Sequence, residues 1–177
     1  MKTIHGRKTA LLLLAGGMLF PALSQAGNTV IDITGKVVAS PCVINSGEPT
    51  LAVNIGNDIQ ADSLSTAGSA SAWKDFTLKV SNCPSSTTSF NVTFSGTPDT
   101  DANYYRNTGD ATNLAVELAT TNDKTSLKNG TALNNLIIDI DTSTRGYDLL
   151  MSARAVSKGN VMPGSIASQV QLTFTYQ

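Results

Sequence analysis

Few residues in this chain have the type and spacing for catalysis or metal binding. The candidates are one histidine, His5, two cysteines, Cys42 and Cys83, and two pairs of aspartates spaced i, i+2, Asp99 with Asp101 and Asp139 with Asp141. A histidine beside a serine or cysteine nucleophile builds a hydrolytic triad, and histidine is also the commonest zinc ligand. Paired carboxylates can hold calcium or share the acid and base steps of glycoside cleavage.

His5 sits in a stretch that reads as an export signal. Lys2, Arg7 and Lys8 form a basic start, Ala10 to Phe20 is a short apolar core, and Ser24-Gln25-Ala26 offers small residues for cleavage. The expected signal peptide is therefore residues 1–26, with Gly27 as the mature start, and the histidine leaves with it. A mature chain without histidine cannot run the usual triad. The aspartate pairs fit a solvated strand face or turn better than calcium or catalysis, and no Gly-rich phosphate loop or GxSxG elbow is present. No enzyme, no cofactor and no metal are expected.

Two cysteines in an exported chain are expected to bond to each other. Linking Cys42 to Cys83 closes a loop of about 40 residues, which the chain-entropy account values at roughly 4 kcal/mol. Two cysteines are too few for a zinc site, and their spacing is too long for a redox pair.

Loss of 26 residues leaves 151 of the 177, a length that suits one domain. The leader takes three basic residues and no acidic ones, so nine Lys and Arg remain against 13 Asp and Glu, a net charge of −4. Nucleic acid is not an expected partner, because phosphate binding needs clustered Lys and Arg. After the leader, no stretch reaches the roughly 18 to 20 apolar residues of a transmembrane helix.

The elements that must position these residues are strands. Apolar side chains recur with period two at Leu51, Val53, Ile55, at Phe76, Leu78, Val80, at Phe90, Val92, Phe94, and at Leu114, Val116, Leu118. The pattern continues at Leu136, Ile138, Ile140, at Leu149, Met151, Ala153, Ala155, and at Val170, Leu172, Phe174, Tyr176. Turn residues separate the runs at 82–86, 96–99, 107–110, 122–124, 129–130 and 158–164. About seven short strands and one disulfide point to an antiparallel β-sandwich of immunoglobulin type. Asp62 to Trp73 is the one place for a short helical turn. The N-x-Thr triplets at Asn91 and Asn129 are taken as coincidence in a background rich in Thr and Asn.

The two ends carry the most information. Thr29, Ile31, Ile33, Gly35, Val37 and Ala39 share one face of a strand, with Val30, Asp32, Thr34, Lys36 and Val38 on the other. Gly35 leaves a gap in the apolar row where another chain can approach closely. This is either an ordinary first strand of the chain's own sheet or a strand meant for another molecule. At the other end SQVQLTFTYQ breaks off inside a strand, so one of its edges is expected to lie open. An N-terminal strand on one molecule and an open edge on another solve this jointly.

GKVVASPC at 35–42, STAGSASAW at 65–73, LKVSNCP at 78–84, Gly164 at the fourteenth position from the end and the penultimate Tyr176 together resemble a chaperone–usher pilin. The likeness covers the whole mature chain and is strongest to the minor, tip-fibrillum subunits of type 1 fimbriae. It implies an all-β, incomplete immunoglobulin-like sandwich lacking its last strand, with a free N-terminal donor strand at 27–39 and a pilin domain at 40–177. It also implies a fimbrial location on the bacterial cell surface, reached through the periplasm. A periplasmic chaperone would contact Gly164, Val170, Leu172, Phe174, Tyr176 and Gln177. At the outer-membrane usher, a neighbouring fimbrial subunit's donor strand would replace the chaperone's, using its equivalents of Ile31, Ile33, Gly35, Val37 and Ala39. The alternatives are a major rod pilin of the same pathway and a carbohydrate-binding adhesin, the latter disfavoured because an adhesin's extra lectin domain would double the length.

Overall fold

A computed structural model describes residues 29–141 and 143–177. The expected signal peptide and the cleavage point before Gly27 lie outside the described residues. Eight strands are found among those residues: β1 Val43–Ile44, β2 Lys74–Ser81, β3 Ser89–Gly96, β4 Tyr105–Arg106, β5 Leu114–Thr120, β6 Ala132–Ile137, β7 Tyr147–Ser157 and β8 Val170–Tyr176. They form two antiparallel sheets, one in the order β1-β2-β7-β5-β4 and the other in the order β6-β3-β8.

The sandwich follows from the period-two rows. Phe90, Val92 and Phe94 on β3 are fully buried, and they face Leu78 and Val80 of β2 and Leu149, Met151 and Ala153 of β7 in one core. Alternation puts every second side chain of a strand on one face, so two such sheets bury their apolar rows against each other. On the outer face of the five-stranded sheet, Trp73 carries the Arg154 guanidinium at 4.3 Å and the Lys124 ammonium at 5.0 Å from its ring centre. Glu117 holds Arg154 at 2.6 Å.

The disulfide between Cys42 and Cys83 is present, and both residues are buried at the edge of the core. The helical turn expected in 62–73 is a short 3-10 helix at Ala61–Leu64. Two strand expectations need correction. Leu51, Val53 and Ile55 lie in an extended segment that belongs to no strand. The run expected at 136–140 is displaced to Ala132–Ile137, because β6 carries one extra residue opposite Asn91. Residues 29–41 belong to no strand among the described residues.

The aspartate pairs are structural. Asp99 is held by the Lys158 ammonium at 2.9 Å, and Asp101 accepts from the Asn103 amide at 2.9 Å. Asp139 accepts from the Asp141 backbone at 2.9 Å within a turn. Asn91 and Asn129 are likewise engaged, accepting from the backbone amides of Asn135 at 2.8 Å and Gly96 at 3.1 Å.

Candidate functional site: an unfilled groove beside β8

Of the four sheet edges, three are poor templates for another strand. β1 and β4 are two residues long. β6 is interrupted by a bulge at Asn134–Asn135, where Asn135 takes a left-handed φ of 55°. Short strands and bulges are common ways of blunting an edge. β8 has neither device: its seven residues pair in unbroken register with β3, from Gly96↔Val170 to Phe90↔Tyr176, and it carries no charge and no proline. Its outer edge has no partner among the described residues.

The side chains of β8 tell the same story. Val170, Leu172, Phe174 and Tyr176 point into the core, yet all four are only half-buried, whereas the β3 residues opposite them are sealed. The space in front of them is a cleft of about 680 Å³. One wall is β8 and the other is Pro49 to Ile55, with Phe76, Leu118 and Met151 between. That second wall explains why Leu51, Val53 and Ile55 alternate without forming a strand. Their backbone makes no ladder among the described residues, so the groove is bordered by two extended chains that both lack a neighbour on the facing side. A single strand laid between them would pair with both and cover the half-buried row.

At the Tyr176 end the chain is tied back to β3. The Gln177 backbone exchanges bonds with Ser89, its N–H donating to Ser89 O at 2.9 Å, and its oxygen accepts from the Thr88 and Ser89 amides at 2.9 and 3.3 Å. Thr87 Oγ1 donates to Ser40 O at 2.6 Å. Burial holds the ionisation of the Tyr176 hydroxyl above the usual phenol range, against the opposing influence of the Cys42 backbone. Gly164 is not part of β8. It precedes the strand in a loop where an added Cβ would lie 2.3 Å from Ala111 N, so only glycine lets these two backbones meet.

The N-terminal segment presents the reverse situation. Ile33 is 90% and Val37 99% exposed, and Val30, Ile31 and Val38 are exposed as well. A Cβ added to Gly35 would meet no atom within 4 Å. Sequence reasoning singled out this row and the β8 row, but it missed the groove's second wall and its floor. Tyr105, in the two-residue β4, lines the groove and is fully buried. A strand that short has no periodicity to detect.

The fimbrial protein family profile matches residues 31–177. The fimbrial-like protein YdeR of Escherichia coli K12 is 35% identical over the full length of both chains. FimG of the same strain is 34% identical, over 96% of this chain and 97% of FimG. The S-fimbrial adhesin protein SfaS of Escherichia coli O6:K15:H31 is 32% identical, over 96% of this chain and 99% of SfaS. Among solved structures, the P pilus rod subunit PapA superimposes with a TM-score of 0.64 at 16% identity, covering 78% of this chain and all of PapA. A chaperone–usher pilus gives 0.60 at 18% identity, covering 86% of this chain and 98% of that one. At those identities the structures show a shared fold, the incomplete immunoglobulin-like sandwich, while the sequence matches show kinship. The chain belongs to the fimbrial protein family and is a structural subunit of a fimbria on the bacterial cell surface.

Proposed function

We propose that this subunit polymerises by strand donation: residues 27–39 of one subunit fill the groove beside β8 of the next. The observation that carries this reading is the match between an exposed apolar row on the N-terminal segment and a half-buried apolar row beside an unprotected edge. Burying Ile31, Ile33, Val37 and Ala39 in a neighbour contributes about 5 to 8 kcal/mol, before ladder hydrogen bonds at about 1 kcal/mol each. Donor and acceptor surfaces differ, so the contact is heterologous, does not close, and builds a filament.

Before assembly the same groove needs a temporary occupant, because an open edge of this length invites aggregation. A periplasmic chaperone strand lying along Val170, Leu172, Phe174 and Tyr176 fills that need, and an outer-membrane usher is where it is exchanged for a neighbouring subunit's arm. Within the fimbria the role is that of a minor subunit near the tip. The near-complete alignment to FimG and the GKVVASPC and STAGSASAW stretches support this placement. The role is structural, and catalysis has no part in it.

The test uses residues 40–177, unfolded thermally with and without a peptide matching Gly27 to Ala39. The domain alone should be poorly stable and should gain a large rise in melting temperature with the peptide, less with an Ile33→Asp peptide. A domain that is stable, monomeric and indifferent to every donor peptide overturns the reading.

A further inference from the structure

Strand donation leaves open what fixes the register of the incoming arm. A slip of one residue turns the apolar row outward and is heavily penalised, but a slip of two keeps it inward. Thr29, Ile31, Ile33, Gly35, Val37 and Ala39 repeat with that period, so only the gap at Gly35 and differences of side-chain size separate registers two residues apart.

Beyond the Val170 end of β8 the groove runs into a second cavity of about 360 Å³, to which Ile166 is common. Its wall is mixed, with Leu64, Leu114 and Val161 beside Gln60 and Asp62, and Met162 is exposed. Among the described residues Asp62 is the one charged residue lining it. Its side chain has no hydrogen-bond or ion-pair partner among the described residues.

The direction of entry follows from what fills the other end. Ser40 O accepts from Thr87, whose neighbour Thr88 donates to Gln177 O, and Cys42 is bonded to Cys83. The root of the chain's own arm therefore occupies the Tyr176 end of β8. An arm from another molecule carries a folded domain only three residues after Ala39, and that bulk fits only at the Val170 end. The incoming strand then runs antiparallel to β8, bringing the Val37 end of the arm toward the cavity with Lys36 on its outward face, where it can meet only an exposed group at the rim such as Asp62. Lys36 is the one cation between Thr29 and Cys42.

Resting on the strand-donation reading, we propose that Lys36 of an arm from a second copy of this chain pairs with Asp62 and sets the register of the inserted strand. The complementary charge at the end where Lys36 arrives is what identifies the occupant. The groove's other carboxylate, Glu48, lies beside Pro49 at the start of the opposite wall.

The experiment measures self-association of the full mature chain by sedimentation velocity at about 0.01 M and about 1 M salt, where the Debye length falls from about 30 Å to about 3 Å. At low salt, Lys36→Asp or Asp62→Lys alone should weaken association about two- to fivefold, and the double variant should restore it. At high salt these differences should vanish. Both residues are exposed, so circular dichroism of the variants should match the parent. Single variants that associate normally, a double variant no better than its parents, or rescue of Lys36→Asp by Glu48→Lys in place of Asp62→Lys would each overturn the pair. Ile33→Asp separates the two levels: if it abolishes association while the charge variants do nothing, strand donation stands and the pair falls. If the parent chain does not associate at all, both fall.

Discussion

The rings of Phe90 and Phe174 lie 5.8 Å apart on neighbouring strands, yet Phe90 is fully buried and Phe174 only half so. The difference lies entirely on the groove side of β8. Replacing Phe174 by Ala should therefore cost little, about 1 to 2 kcal/mol, in the domain with an empty groove. It should cost about 3 to 5 kcal/mol, the usual range for a buried phenylalanine, once a donor peptide covers it. Phe90→Ala should be severe in both. Urea unfolding of both variants with and without peptide gives the comparison, and an equal penalty for Phe174→Ala in the two states would show that no strand covers it.

Asn135 blunts the β6 edge. Its φ of 55° is a conformation that asparagine tolerates, and its amide donates to Asn91 Oδ1 at 2.8 Å. Asn135→Gly should be close to neutral. Asn135→Val should lose about 1 to 2 kcal/mol from the left-handed backbone alone, and any relaxation to a regular strand would leave a second open edge. Light scattering at equal concentration should show Asn135→Val aggregating even with donor peptide bound. If it stays monodisperse and equally stable, the bulge does not protect that edge.

Much of the sandwich was legible because burial on one face writes period two into the sequence. Phe76, Leu78 and Val80, or Phe90, Val92 and Phe94, carry that record plainly, and β2 and β3 lie where they point. The same rule misassigned Leu51, Val53 and Ile55. Alternation reports which side of a chain is covered, not whether its backbone has a partner, and this segment's facing neighbour is not another strand of the domain. Asn134 and Asn135 insert a residue and break the period, which displaced β6 in the reading. Val37 and Ile33 could be placed on one face, but only the structure shows that face exposed. Asp62 gave no signal at all: a lone aspartate gains meaning only from the cavity it lines.

The covalent link should matter more than its surroundings. Cys42 and Cys83 close a loop with a sequence separation of 41 and anchor the root of the arm. A Cys42→Ser, Cys83→Ser double variant should lose roughly 3 to 4 kcal/mol relative to the oxidised protein, mainly through a less constrained unfolded chain. Urea midpoints of the double variant and the parent, each saturated with donor peptide, measure this. Midpoints that coincide would remove the disulfide from the stability of the fold.

Tyr105 should give the protein an alkaline limit. Its ring is sealed in the core, its hydroxyl donates to Leu127 O at 2.6 Å, and burial pushes its ionisation up to about 12. The unfolded chain ionises near pH 10, so the folded state favours the neutral phenol. That contribution is fully present below about pH 10 and is lost as pH rises through about 12, amounting to at most about 3 kcal/mol. Tyr176, raised in the same direction by burial, adds to the slope. Tyr105→Phe should be less stable near pH 8 by roughly 1 to 2 kcal/mol, because the Leu127 carbonyl loses its buried donor. It should nevertheless lose less than the parent between about pH 10 and pH 12. Urea midpoints across that range decide the matter: parallel curves for the two proteins would mean that Tyr105 does not ionise against the core.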